Sequence, residues 1–201
     1  LNYSDCPMLC SLILNGLVTT LKQVDLVLGK DYRIVTVSLN PNETPARARA
    51  TQNRYLEQYG NPGSRAGWTF LTGSENNIRA VAHSVGFKYS YNEARNEYVH
   101  PSAFVIAMPD GHVARYIYGI EYLPETVRLS LVEASEGKVG TTLDRIFLYC
   151  FHYDETEGRY APVAMNVMRL AGGFGALLLG GFLLLLWRAE LRKKKLVEST
   201  V

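Results

Sequence analysis

The residues best suited to chemistry are two cysteines near the start of the chain, Cys6 and Cys10, in the stretch DCPMLC. The apolar period that follows predicts a helix beginning here, and residues four apart share a helix face with Cβ atoms about 5–6 Å apart. At a helix N-terminus the dipole and free amides lower a thiol's pKa and favour the thiolate. A thiolate is the nucleophile of disulfide exchange and a soft ligand for Cu(I) or Zn(II). The pair is therefore predicted to be reactive or metal-binding, and a purely structural disulfide is disfavoured because so short a loop constrains the unfolded chain little.

A third ligand would have to come from the four histidines of the chain. His83 falls in a predicted helix and His112 in a predicted turn, which favours packing or surface roles. His100 comes directly before a predicted buried strand, and Pro101 imposes an extended backbone on it. Sites in α/β sheets assemble at such strand ends. Position alone leaves two readings of His100 open, a metal ligand or an ordinary residue at a strand start.

The C-terminal part of the chain is predicted to cross a membrane. From Leu170 to Trp187 there are eighteen residues without a charge, and a helix of that length spans about 27 Å, close to the thickness of a bilayer core. We predict a transmembrane helix over residues 169–188 and a basic cytoplasmic tail over residues 189–201, because positive charge follows the span. Residues 1–168 are then extracytoplasmic.

Net charge excludes one class of partner. The chain carries +2 overall, and the residues from Arg169 onward carry six basic and two acidic side chains, which leaves −2 for residues 1–168. The body is mildly acidic, so no nucleic-acid surface is predicted. Outside the cytosol thiols oxidise unless they are reduced or metallated, so a functional dithiol there needs an electron source or a metal.

The remaining pattern alternates helices and strands, which predicts an α/β sandwich with a mixed central sheet. Helices are predicted from the cysteine pair to Gly29, over 46–59, over 74–86 and over 123–137; strands are predicted over 32–39, 67–73, 103–108 and 113–118, with a hairpin around residues 92–97. Leu1–Tyr3 is predicted to be the end of a strand. Residues 137–168 are predicted to be a linker that could contain an amphipathic segment.

Five stretches together resemble the Sco/SenC family: DCPMLC, VTVSLNPNETP, GWTFLTG, VGFKY and YVHPSAFVIAMPDGHVARYIYG. Members of that family are thioredoxin-fold, membrane-tethered proteins that bind copper and help metallate the binuclear copper centre of cytochrome c oxidase. The resemblance covers about residues 1–135 and implies a thioredoxin-like copper-binding domain over residues 1–136. It implies copper, as Cu(I) or Cu(II), held by Cys6, Cys10 and His100, and the copper-containing subunit of the oxidase as partner. Other copper chaperones or thioredoxin-like reductases are further candidate partners.

The chain departs from the family pattern in three ways. Asn40-Pro41 replaces the usual Asp-Pro, in a loop that supplies no ligand. The predicted span is C-terminal, whereas many members have an N-terminal anchor. The start of the domain and a signal peptide are expected to precede Leu1, which would place the protein in a bacterial cell membrane with its soluble domain on the periplasmic side.

Three functions stay open from the sequence. The first is a copper chaperone for oxidase assembly, which would not be an enzyme. The second is a thiol–disulfide oxidoreductase with Cys6 and Cys10 as its redox pair, which would keep a partner's copper-ligand cysteines reduced. The third is a redox or copper sensor that signals through the anchor. A pure dithiol exchanger has no use for His100, so this residue separates the first function from the second.

Cys150 and His152 form a second, smaller candidate site just ahead of the predicted span. The pair is predicted to be either an auxiliary copper-docking or intermolecular thiol site, or a half-buried thiol beside an incidental histidine. Two ligands alone make a poor metal site.

Overall fold

The computed structural model describes residues 1–5, 9–136, 142–154 and 159–198. The helices are α1 Leu9–Leu21, α2 Pro45–Tyr59, α3 Glu75–Ser84, α4 Pro124–Ala134, α5 Thr142–Cys150 and α6 Ala164–Glu198, with a 3-10 helix over Pro62–Gly67. The strands are β1 Ile34–Val37, β2 Trp68–Leu71, β3 Ser90–Asn92, β4 Glu97–Val99, β5 Ala103–Ala107, β6 Val113–Tyr118, β7 Phe151–Asp154 and β8 Arg159–Pro162.

Parallel and antiparallel strand pairs occur together in the part of the chain that is described. β1 and β2 are parallel, from Ile34 opposite Trp68 to Val37 opposite Leu71, and α2 connects them. The pairs β3–β4, β5–β6 and β7–β8 are antiparallel. Asn2 bridges to Ser38 in parallel, so the first residues extend the pairing beside β1, in agreement with the predicted strand end.

α1 ends at Leu21, eight residues before the predicted stop at Gly29. Leu21, Val24 and Leu28 are buried, and their spacing of three and four residues continues the helical period beyond the end of α1. The carboxylate of Asp31 instead accepts a hydrogen bond of 2.7 Å from the Val27 amide and fixes a turn there. An apolar period alone does not distinguish this buried turn from a helix.

Two hydrophobic clusters stabilise the domain. The larger lies between α1, α2, α4 and the strands and contains Trp68, which is completely buried and whose Nε1 donates to Thr36 Oγ1 at 3.0 Å. The smaller consists of five side chains: Tyr3, Leu39, Ile78, Ala82 and Phe87. This smaller cluster lies against His100, because both Tyr3 and Phe87 contact the histidine ring.

The segment between α4 and α6 contains folded elements. α5 and the β7–β8 hairpin pack on the domain, and Tyr153 belongs to the larger cluster. These elements lie in the range assigned to a linker from the sequence; the division into domain, linker, span and tail stays a prediction. Within α6, Met165–Arg188 is long and apolar enough to cross a bilayer, and none of it is buried against the domain.

Candidate metal centre

His100 directly follows β4, three residues before β5 begins, and is only 8% exposed. Its Nδ1 lies 2.9 Å from the carbonyl oxygen of Pro101. A carbonyl oxygen only accepts, so Nδ1 carries the proton and the lone pair of the neutral imidazole is on Nε2. Metal-ligating histidines commonly have this arrangement, in which a backbone carbonyl fixes the tautomer and the ring orientation.

The surroundings of His100 favour its neutral form. Burial lowers the pKa of the imidazole below its usual value, and the hydrogen bond to Pro101 opposes this shift without cancelling it. Phe87 packs against the ring with the centroids 5.9 Å apart, and Tyr3 approaches it edge-on at 6.5 Å. A neutral imidazole is the form that can coordinate a metal ion.

Tyr3 connects the segment ahead of the cysteine pair to the segment ahead of β5. Its ring packs edge-on against Tyr98 at 5.3 Å between centroids, and its hydroxyl accepts a hydrogen bond of 3.2 Å from the Tyr98 amide. The same ring contacts His100. Since Tyr3 precedes Cys6 by three residues, the chain enters the predicted cysteine turn from a position beside His100.

Glu43 holds the residue that follows Tyr3. Its carboxylate, buried in the loop between β1 and α2, accepts hydrogen bonds from the Ser4 amide at 3.0 Å and from the Ser4 hydroxyl at 2.5 Å. It also accepts from the hydroxyl of Ser38, at 2.6 Å. Asp5 pairs with Arg47 on α2. We call Ser4, Ser38 and Glu43 the Glu43 clamp; it fixes the backbone two residues before Cys6.

Sequence reasoning missed Glu43. The loop NPNETP was judged to supply no ligand, and the one signal in it is an acidic residue placed just before the start of α2, where the helix dipole favours a negative charge. Its burial and its partners depend on Ser4, which lies 39 residues away in the chain. No local pattern reports such a contact.

The cysteine pair is described only in part. Cys6 lies outside the described residues; the backbone of Cys10 lies in the first turn of α1, as predicted, and nothing is described of its side chain. Among the described residues, no group of three or more His, Cys, Asp and Glu side chains is arranged to hold a metal ion. The ligand set Cys6, Cys10 and His100 therefore stays a prediction.

The other histidines occupy surface positions. His83 is exposed on α3, and His112 is exposed beside Asp110, with Nδ1 2.9 Å from a carboxylate oxygen. His152 is exposed on β7. Cys150 is the last residue of α5, and its side chain is not among those described. His100 is thus the only one of the four that is buried.

Comparison with known proteins identifies the family and the fold. The family model described as SCO1/SenC matches residues 1–133. A search of curated proteins returned no match. A putative electron transfer protein from Aquifex aeolicus VF5 superposes with a TM-score of 0.59 at 21% identity, covering 68% of this chain and 76% of that one. A SCO1/SenC family lipoprotein from Bacillus anthracis str. Ames gives a TM-score of 0.52 at 17% identity, covering 67% and 77%.

A third solved structure, Arabidopsis thaliana ScoI with copper bound, has 20% identity and a TM-score of 0.47 and covers 67% of this chain and 79% of that one. The two structures with the higher TM-scores confirm the predicted fold class, an α/β thioredoxin-like sandwich, here followed by one long apolar C-terminal helix. The family model covers about two thirds of the chain, from the predicted cysteine turn through α4. The chain belongs to the SCO1/SenC family.

Proposed function

We propose that this protein is a membrane-anchored copper chaperone that delivers copper to the copper-containing subunit of cytochrome c oxidase. Copper is the cargo, bound by the thiolates of Cys6 and Cys10 and by His100. The observation that carries the proposal is the placement of His100, which is buried and held through Nδ1 by the carbonyl oxygen of Pro101, with its lone pair on Nε2. Membership of the SCO1/SenC family supports it.

The donor set suits copper in particular. Two thiolates and one imidazole form a low-coordinate set that Cu(I) prefers, and Cu(II) can be accepted when a further ligand is added. Zn²⁺ in a structural site takes four ligands, one more than this set supplies. Transfer would proceed by ligand exchange: each incoming donor of the partner replaces one donor here, and Cu(I) keeps its oxidation state throughout.

The protein is proposed to carry out this transfer outside the cytosol. α6 offers a single stretch, Met165–Arg188, of sufficient length and apolar character to anchor the domain. The run Arg192–Lys195 follows that stretch, and positive charge flanking a span favours the cytoplasmic side. The copper domain then lies on the opposite side, where a periplasmic oxidase subunit is accessible.

A thiol–disulfide oxidoreductase is the second candidate. It is favoured by the position of Cys10 in the first turn of α1, where a helix N-terminus stabilises a thiolate. Such an exchanger would keep the partner's cysteines reduced. Disulfide exchange alone does not require a buried, oriented imidazole beside the segment that enters the cysteine turn. Copper binding does, because His100 would be the third ligand.

Anaerobic Cu(I) titration of the reduced full chain in detergent tests the proposal. We expect one tightly bound equivalent, which is lost in Cys6→Ser and in His100→Ala and kept in His112→Ala, the control that removes an exposed histidine. The fluorescence of buried Trp68 checks that each variant is folded. Tight binding in folded His100→Ala equal to that of the parent would contradict the role of His100. Absence of tight binding in the parent, with ready disulfide exchange, would favour the oxidoreductase.

A further inference from the structure

α5 is an amphipathic helix whose apolar face points away from the domain. Leu143, Ile146 and Tyr149 are 66%, 48% and 47% exposed, and they recur every three residues along the helix. The opposite face carries Asp144, which is only 4% exposed. In a helix that merely covers a soluble domain the apolar side faces the core, whereas α5 presents three large apolar side chains outward in addition to Leu148 on its inner side.

An ion pair fixes this orientation. The carboxylate of Asp144 accepts hydrogen bonds from two nitrogens of Arg128 on α4, one of them at 2.9 Å. Arg128 also pairs with Asp25, and these carboxylates raise the pKa of the guanidinium above its usual value. Leu148 packs against the larger hydrophobic cluster. Rotating α5 to bury its apolar face would break both contacts, so the outward face belongs to the folded state.

The position of α5 relative to α6 indicates what covers that face. The side-chain amide of Asn166 donates to the carbonyl oxygen of Tyr149 at 2.6 Å, so the end of α5 is level with the first turn of α6. Asn166 precedes Leu170, where the charge-free run begins, by four residues, which corresponds to about 6 Å of helix rise. The headgroup layer on each side of a bilayer core is about 5–8 Å thick.

The first turns of α6 also carry exposed apolar side chains. Met165 and Met168, in the first turns of α6, are exposed like Leu143 and Ile146. A large apolar surface of this kind on a folded domain marks an interaction site. Helices with one strongly apolar face adjacent to a membrane bury that face at the boundary between headgroups and acyl chains.

We propose that α5 is an interfacial helix, which rests on the lipid bilayer through Leu143, Ile146 and Tyr149 and holds the copper-binding domain against the membrane surface. The inference rests on the proposed membrane span of α6 and is independent of copper. It gives the domain a fixed attachment: α5 joins α4 through Arg128, and Tyr153 of β7 is inserted into the larger cluster.

The test measures the surroundings of single positions in the full chain, reconstituted in vesicles of phosphatidylcholine and phosphatidylglycerol. A nitroxide is attached through a genetically encoded keto amino acid, which leaves all cysteines unmodified, at position 146 and, independently, at position 143. Its collision rates with oxygen, which concentrates in lipid, and with a water-soluble nickel chelate are compared. Val81 on α3, exposed to a similar degree, is the water-facing control, and Leu178 within α6 is the membrane control.

We expect positions 143 and 146 to resemble position 178, with oxygen collisions exceeding nickel collisions, and position 81 to show the reverse. Water-like values at 143 and 146 together with lipid-like values at 178 would overturn the inference and leave the anchor intact. Water-like collision rates at position 178 as well would overturn both the interfacial role of α5 and the membrane span of α6. A third outcome is that labels at positions 143 and 146 collide with neither reagent and show dipolar broadening between labels. This result would show that a second copy of the chain covers α5, and it would also overturn the inference.

Discussion

Removing the Glu43 carboxylate should loosen the segment that leads into the cysteine pair. In Glu43→Ala the Ser4 amide loses its 3.0 Å acceptor and two hydroxyls lose theirs. The Ser38 hydroxyl can still donate to the Asn40 carbonyl oxygen at 3.4 Å, and the Ser4 hydroxyl still has Thr51 Oγ1 at 2.8 Å. The Ser4 amide therefore dominates the cost.

The magnitude follows from these contacts. Leaving one buried donor unsatisfied costs about 1–3 kcal/mol, and hydrogen bonds to a charged group contribute about 1.5–3 kcal/mol each. Removing the carboxylate also removes the cost of burying its charge. We therefore expect Glu43→Ala to lower the free energy of unfolding by about 2–4 kcal/mol, and Glu43→Gln by less because its amide oxygen still accepts.

Urea unfolding of the full chain in detergent, followed by the fluorescence of Trp68 in a background that carries Trp187→Phe, measures this change. For an m value of about 2 kcal/mol/M, the midpoint should fall by about 1–2 M in Glu43→Ala. Glu57→Ala, which removes an exposed carboxylate of α2, is the control and should shift the midpoint little. Cu(I) affinity should fall in Glu43→Ala at a urea concentration where the protein is folded. A midpoint equal to that of Glu57→Ala would refute the clamp, and unchanged Cu(I) affinity would refute its link to the cysteine turn.

Three further substitutions test other contacts by the same unfolding assay. Tyr3→Phe removes the acceptor of the Tyr98 amide and keeps the ring, so we expect a loss of about 1 kcal/mol; no loss would show that the amide finds another partner. Asp144→Ala leaves Arg128 paired only with the exposed Asp25 and should lower the free energy of unfolding by about 1–3 kcal/mol. Unchanged stability would argue against a fixed orientation of α5. Gly67→Ala places a Cβ against the Gly29 amide nitrogen and should cost about 1–3 kcal/mol or more, whereas tolerance would contradict this close backbone approach.

The elements that surround the site were predictable because their signals are local. The β-branched run before Leu39 indicated β1, and the helix predicted over 46–59 corresponds to α2. The Thr44 cap, in which Oγ1 accepts from the Arg47 amide at 3.3 Å, is seen in the structure. Its place before a predicted buried strand, next to a proline, made His100 a candidate, and only the resemblance to the Sco/SenC family assigned it as a ligand. It is the buried histidine of the chain. Its tautomer and its contacts with Tyr3 and Phe87 required the structure.

What sequence reasoning missed depends on contacts between distant residues. Glu43 is defined by Ser4, 39 residues away. The amphipathic character of α5 was visible in the sequence, but its orientation is set by Arg128, sixteen residues earlier on a different helix. The end of α1 was placed too late because buried residues in a turn imitate a helical period. In each case, tertiary packing supplied information that a window of sequence does not contain.

X-ray absorption at the copper edge of the Cu(I)-loaded full chain tests whether copper is held by Cys6, Cys10 and His100. We predict that the first coordination shell of copper contains two sulfur atoms and one imidazole nitrogen. The nitrogen contribution should disappear in His100→Ala and persist in His112→Ala. A first coordination shell that is the same in His100→Ala as in the parent, or one without two sulfur atoms, would contradict this ligand set.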